Sequence, residues 1–127
     1  MPKKEDNSLS IEGQFMDLDA KIVESEQRFI SLIKEKAQID KSIQELSATL
    51  FTELASERGE DGKPKYPNKE TREQELINRL ANNKSYIDSV SAESKINEDL
   101  QMLQISIDSL KRQFSSLKAL CYRGVSV

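Results

Sequence analysis

The chain has 127 residues, with 19 Lys plus Arg against 22 Asp plus Glu for a formal net charge of −3, and 32% charged, 36% hydrophobic and 6% aromatic side chains. It holds no His, no Trp and one Cys, which removes Ser–His and Cys–His nucleophiles, His-ligated zinc, internal disulfides and four-Cys zinc sites together, so neither an enzyme nor a cofactor is expected. High charge with few aromatics favours an elongated helical build; no run approaches the roughly 20 apolar residues of a membrane span and no apolar signal segment follows Met1-Pro2-Lys3-Lys4, so a soluble, cytoplasmic single domain is expected.

Residues 1–9 read as a flexible N-terminus. A long helix follows over 10–56, with Ser8 or Ser10 able to cap its free amides. One column of apolar positions reads Phe15, Ile22, Phe29, Lys36, Ile43, Leu50 and the other Ile11, Leu18, Ser25, Leu32, Ile39, Leu46, Glu53. This 3-4 spacing, sustained over about six heptads, argues for a coiled-coil-type helix roughly 65–70 Å long. Residues 57–68 interrupt it, because Gly59, Gly62, Pro64 and Pro67 all fall there. Asn68 is placed to cap a short helix over 69–82, and Thr71 through Gln74 fits the capping-box spacing. Asn82-Asn83 predicts a break. A second long helix is expected over 84–122, with the seam Ile96, Leu100, Leu103, Ile107, Leu110, Phe114, Leu117, Cys121 and a phase slip near Ser91–Ser94. Residues 123–127 read as a tail.

The expected fold is all-α: an elongated antiparallel helical hairpin, coiled-coil-like, turning at 57–68. With facing residue numbers summing to about 128–129, Phe15 lies by Phe114, Leu18 by Leu110, Phe29 by Leu100 and Leu32 by Ile96. The polar seam residue Lys36 then falls opposite Glu93, where the second helix slips, and the two form a register pair. Met16, Val23, Ile30 and Ile33 widen the stripe of the first helix beyond a two-residue seam. A second copy completing a four-helix bundle, or a larger protein partner, is expected to cover them.

Two further segments are candidate sites. The loop lacks the alternating ligands of a calcium site, but its prolines stiffen an exposed tip in which Lys63, Lys65 and Tyr66 are candidate partner contacts. Residues 109–127 contain Lys111, Arg112, Lys118 and Arg123 and no acid, a basic end that is a candidate nucleic-acid contact of salt-sensitive strength. Cys121 continues the seam as a small buried hydrophobe, since no His is present to activate it.

The stretch Phe51-Thr52-Glu53-Leu54-Ala55-Ser56-Glu57-Arg58-Gly59-Glu60-Asp61-Gly62-Lys63-Pro64-Lys65-Tyr66-Pro67-Asn68 resembles the turn of small helical-hairpin accessory proteins of phages and mobile elements. The resemblance implies an accessory role, such as helping DNA recombination or blocking a host machine, and brings no catalytic residues. The expectation is a non-enzymatic coiled-coil interaction protein (an assembly, adaptor or inhibitory module) that binds a protein partner or itself. The alternative is a nucleic-acid accessory protein using the basic end and the loop.

Overall fold

The computed structural model describes residues 10–126; the expected flexible stretch 1–9 lies outside them. α1 (Ile11–Ser56) starts where Ser10 caps it: the Gly13 amide donates to Ser10 Oγ at 3.0 Å and the Gln14 amide to the Ser10 carbonyl at 2.9 Å. α2 (Lys69–Ala81) is capped by Asn68, whose side-chain oxygen accepts from the Thr71 amide at 2.9 Å. Thr71 therefore sits three residues inside the cap, and its hydroxyl donates back to Asn68. The adjacent asparagines divide the labour of the break. Asn82 closes α2, and Asn83 opens α3 (Lys84–Ser126) by accepting the Tyr86 amide on Oδ1 at 3.0 Å. α3 runs past its expected end at 122. The presumed tail is helical through Ser126, since Gly124 alone punctuates it and one helical glycine costs only about 1 kcal/mol; Val127 lies outside the described residues.

These helices contribute to two compact units. The first unit pairs α1 up to Ile33 with α3 from Glu98. In it Phe15 and Phe114 meet edge-on with ring centroids 5.0 Å apart, the pair that the expected register placed together. Lys111 Nζ lies 3.3 Å from Glu26. The α3 number falls as the α1 number rises, so these two stretches run in opposite directions. The Glu26–Lys111 pair is several residues out of step with Phe15–Phe114 for a geometric reason: side chains lean toward the N-terminus of their own helix, so those on opposed helices converge. Leu32 and Ile107 are buried here.

The second unit, Lys34–Asn97, buries Leu54 and Ile96. Glu53, expected in the seam, is exposed, and its neighbour Leu54 is 1% exposed. The apolar column thus steps four residues from Leu50 rather than three, a local departure from the heptad. Lys36 and Glu93 are both half-buried in this unit, yet among the described residues no ion pair within 4.0 Å joins them. The expected register pair is thus not formed as a salt bridge, because a lysine stem can line a seam while its ammonium reaches water.

The connection is more ordered than a glycine- and proline-rich stretch suggests. The Gly59 amide donates to the Lys63 carbonyl at 2.8 Å and the Lys65 amide to the Glu57 carbonyl at 3.0 Å, with an antiparallel bridge between Arg58 and Pro64. Pro64 occupies the bridge position that needs no donor. The turn closes through Gly62 at φ 77, a conformation that suits glycine, and the Asp61 carboxylate accepts the Lys63 amide at 3.0 Å. Leu54→Ala is expected to cost about 2–5 kcal/mol in urea unfolding, whereas Glu53→Ala should stay within about 0.5 kcal/mol; equal effects would mean that the heptad column continues unbroken.

Candidate interaction surfaces

Three candidate surfaces follow from the sequence, and the structure treats them differently. The loop residues are drawn into a polar cluster at the base of the turn. Arg79 on α2 donates from Nη1 and Nη2 to the two carboxylate oxygens of Glu57, and from Nε to Glu75 at 3.1 Å. Its guanidinium carbon lies 5.8 Å from the centroid of the Tyr66 ring, and Lys65 Nζ lies 5.6 Å from the same centroid. Arg72 donates to the carbonyls of Tyr66 and Pro67 at 3.1 and 3.2 Å. Tyr66 is therefore half-buried scaffold, with two cations within 6 Å of its ring centroid, while Lys63 stays exposed near the tip. Glu75 and Arg79 are one turn apart and legible as a helical pair. Glu57 lies 22 residues away, and no local signal announces it.

This pairing shifts both groups. The hydrogen bonds from Arg79 hold the Glu57 carboxyl below its ordinary value; partial burial opposes them, and the charges of Arg79 and Lys65 reinforce them. Arg79 is pushed further up, first by its hydrogen bond to Glu57.

The basic end divides between two faces of α3: Lys111 and Lys118, seven residues apart, share one, and Arg112 and Arg123, eleven apart, share the next. Lys111 is engaged by Glu26. Lys118 Nζ lies 6.0 Å from the Tyr122 ring centroid. Arg112 borders a groove with Leu18 and Leu117, about 100° around the helix from Lys111. Arg123 is exposed in the last turn. Cys121 is half-buried, where the sequence suggested a buried seam position.

The apolar stripe is the surface the structure leaves open. In the first unit Met16 is 72% exposed, Val23 45%, Ile30 53% and Ile33 46%. Met16, Val23 and Ile30 repeat every seven residues on α1 and so form one row, and each has an acid four residues before it: Glu12, Asp19 and Glu26. Ile30 lines a groove with Glu26, Phe29, Gln104, Ile107 and Lys111. On the other side of the α1–α3 contact runs a second groove in three segments. Its floor is Leu18, Ser25 and Leu32 with Leu103, Leu110 and Leu117, and Leu120, Ile105 and Met102 stand exposed along it.

Among the described residues no three His, Cys, Asp or Glu side chains are placed to hold a metal ion, and no helix is long and apolar enough to cross a membrane. No family model, curated protein or solved structure matches the chain.

The Glu57 shift carries a pH signature. A carboxyl whose folded pKa lies below its unfolded value adds stability above the unfolded value and loses it as pH falls through the folded one. The side-chain carboxyl resonance of Glu57 should therefore titrate below 4.5, its ordinary value. The amides of Gly59 and Lys65 should report the same midpoint. In Glu57→Gln the amide titration should vanish.

Proposed function

We propose that this chain is a non-enzymatic helical interaction module. It would fold as an antiparallel helical hairpin that completes a bundle with a second copy or a larger protein partner. One observation carries the reading. A row of large apolar side chains, Met16, Val23 and Ile30 with Ile33 beside it, is exposed at helical spacing, and exposed apolar surface rimmed by polar residues is the kind that protein contacts use. The row is also regular, with the seven-residue period of helix-on-helix packing.

The same molecule offers little to nucleic acid. Phosphate binding gains from several cations acting on one backbone, and the four basic residues near the C-terminus divide between two faces of α3, with Lys111 already holding Glu26. A phage-type assembly, adaptor or inhibitory role, as the loop stretch implies, fits a module that works by covering or bridging protein surfaces.

Sedimentation velocity is expected to show species heavier than one chain at micromolar concentration. Ile30→Asp should shift the distribution to single chains with an unchanged far-ultraviolet dichroism spectrum, since a charge placed in an apolar interface is strongly disfavoured. An unchanged distribution would remove the stripe as the contact. A complex with single-stranded DNA that weakens steeply with salt and is lost in Lys111, Arg112, Lys118→Ala would instead establish the nucleic-acid role.

A further inference from the structure

The two units differ in how the chain supplies them. The second is one unbroken stretch, Lys34–Asn97. Its directional bonds join positions close in sequence: the Gly59 amide with the Lys63 carbonyl, the Lys65 amide with the Glu57 carbonyl, and Arg79 with Glu57, 22 residues away. The asparagines that cap α2 and α3, Asn68 and Asn83, lie inside it. Its buried side chains, Leu54 and Ile96, lie inside it as well.

The first unit is assembled from two stretches, α1 up to Ile33 and α3 from Glu98, and the whole second unit lies between them in the chain. The contacts that join the stretches, Phe15 with Phe114 and Lys111 with Glu26, each close a loop that contains all of Lys34–Asn97. Closing a loop costs more entropy the longer the flexible chain within it. Once the second unit is folded, most of that chain is no longer flexible and the cost falls. Helix growth runs the same way. Starting a helix is costly and extending one is cheap. Both α1 and α3 run through both units without a break, so the turns of the first unit can extend from helices the second already holds. The reverse dependence is weaker, because the turn ladder, the caps and the Glu57–Arg79 pair join residues of the second unit only.

We infer that the chain opens in a fixed order: the first unit comes apart while the second stays folded, and the second opens only afterwards. The half-open form releases Phe15 from Phe114 and bares Leu32 and Ile107 beside the exposed row Met16, Val23, Ile30. The apolar row therefore sits on the part of the molecule that opens first. A partner that binds the row only in the closed form raises the cost of opening by mass action. The order itself follows from chain connection and holds whatever covers the row.

Native-state amide exchange tests the order, under conditions where reclosing outruns exchange so that each rate reports an opening free energy. Two matched variants each remove one buried methylene, Ile107→Val from the first unit and Leu54→Val from the second. A loss in the unit that opens first weakens the closed form against every opening. Ile107→Val should therefore speed exchange in both units alike, by about fivefold, the scale of one buried methylene. A loss in the unit that stays folded changes nothing between the closed and half-open forms. Leu54→Val should therefore speed exchange over Lys34–Asn97 by a similar factor and leave the protected amides of the first unit at the wild-type rate. The mirror pattern would overturn the order. Both variants acting on both units would replace it with one cooperative opening, and each acting only on its own unit would replace it with two independent ones. Ile107→Ala and Leu54→Ala enlarge the effect where a methylene is too small to read. Repeating the pair in the Ile30→Asp background separates opening of the fold from dissociation of copies: a pattern lost there would overturn the inference and leave the protein-contact reading standing.

Discussion

Scarcity of burial governs this molecule. Among the described residues the buried hydrophobic side chains are Leu32, Leu54, Ile96 and Ile107, against thirteen large hydrophobics left exposed. A helix hides about a third of its circumference against one neighbour, so two helices bury a seam and leave the rows beside it in water. The sequence places Met16, Val23 and Ile30 on such a row, where each keeps about half or more of its surface in water. Hydrophobic side chains at heptad spacing outside the seam would gain further burial only from another surface.

Where apolar burial is thin, directional bonds define the structure. The second unit shows this in the stretch between α1 and α2. Asp61 and Gly62 set the tip, two backbone hydrogen bonds set the ladder, and Arg79 ties Glu57 to Glu75 beside the Tyr66 ring. Arg72 holds the carbonyls that lead into α2. A planar guanidinium suits this work because its fork meets a carboxylate in two parallel bonds while its face lies over an aromatic ring. The result is a connection held by a bidentate ion pair, whose one aromatic side chain serves the scaffold.

The helices, their caps and the break at Asn82-Asn83 are legible in sequence because each rests on local chemistry: a serine or asparagine oxygen reaching an amide three residues on, and a seven-residue apolar period. Phe15 against Phe114 is legible too, since a repeating pattern constrains which residues of two opposed helices can face each other. Three features escape. Leu54 displaces Glu53 because one four-residue step leaves the heptad, and a single step is invisible against ordinary seam defects such as Ser25. The ladder across Arg58 and Pro64 is hidden by residue types that signal a turn without specifying its hydrogen bonds. Glu57 with Arg79 depends on how the chain returns, which composition does not encode. Lys36 and Glu93 show the converse: two seam irregularities can coincide in number without forming a bond, because long polar side chains relieve such positions by reaching solvent.

Charge placement says more than net charge. Values of −3 for the whole chain and an acid-free stretch after Ser109 suggest an acidic body with a basic end. In the folded first unit the relevant division runs around α1 instead. Glu12, Asp19 and Glu26 accompany the apolar row, with Glu26 holding Lys111, and Lys21 and Arg28 share the groove behind it with Glu24 and Asp99. A cluster of cations on one face would favour a uniform anionic partner such as a phosphate backbone. Cations interleaved with acids along an apolar groove give no such uniform field, so apolar surface rather than net charge distinguishes the faces of this unit.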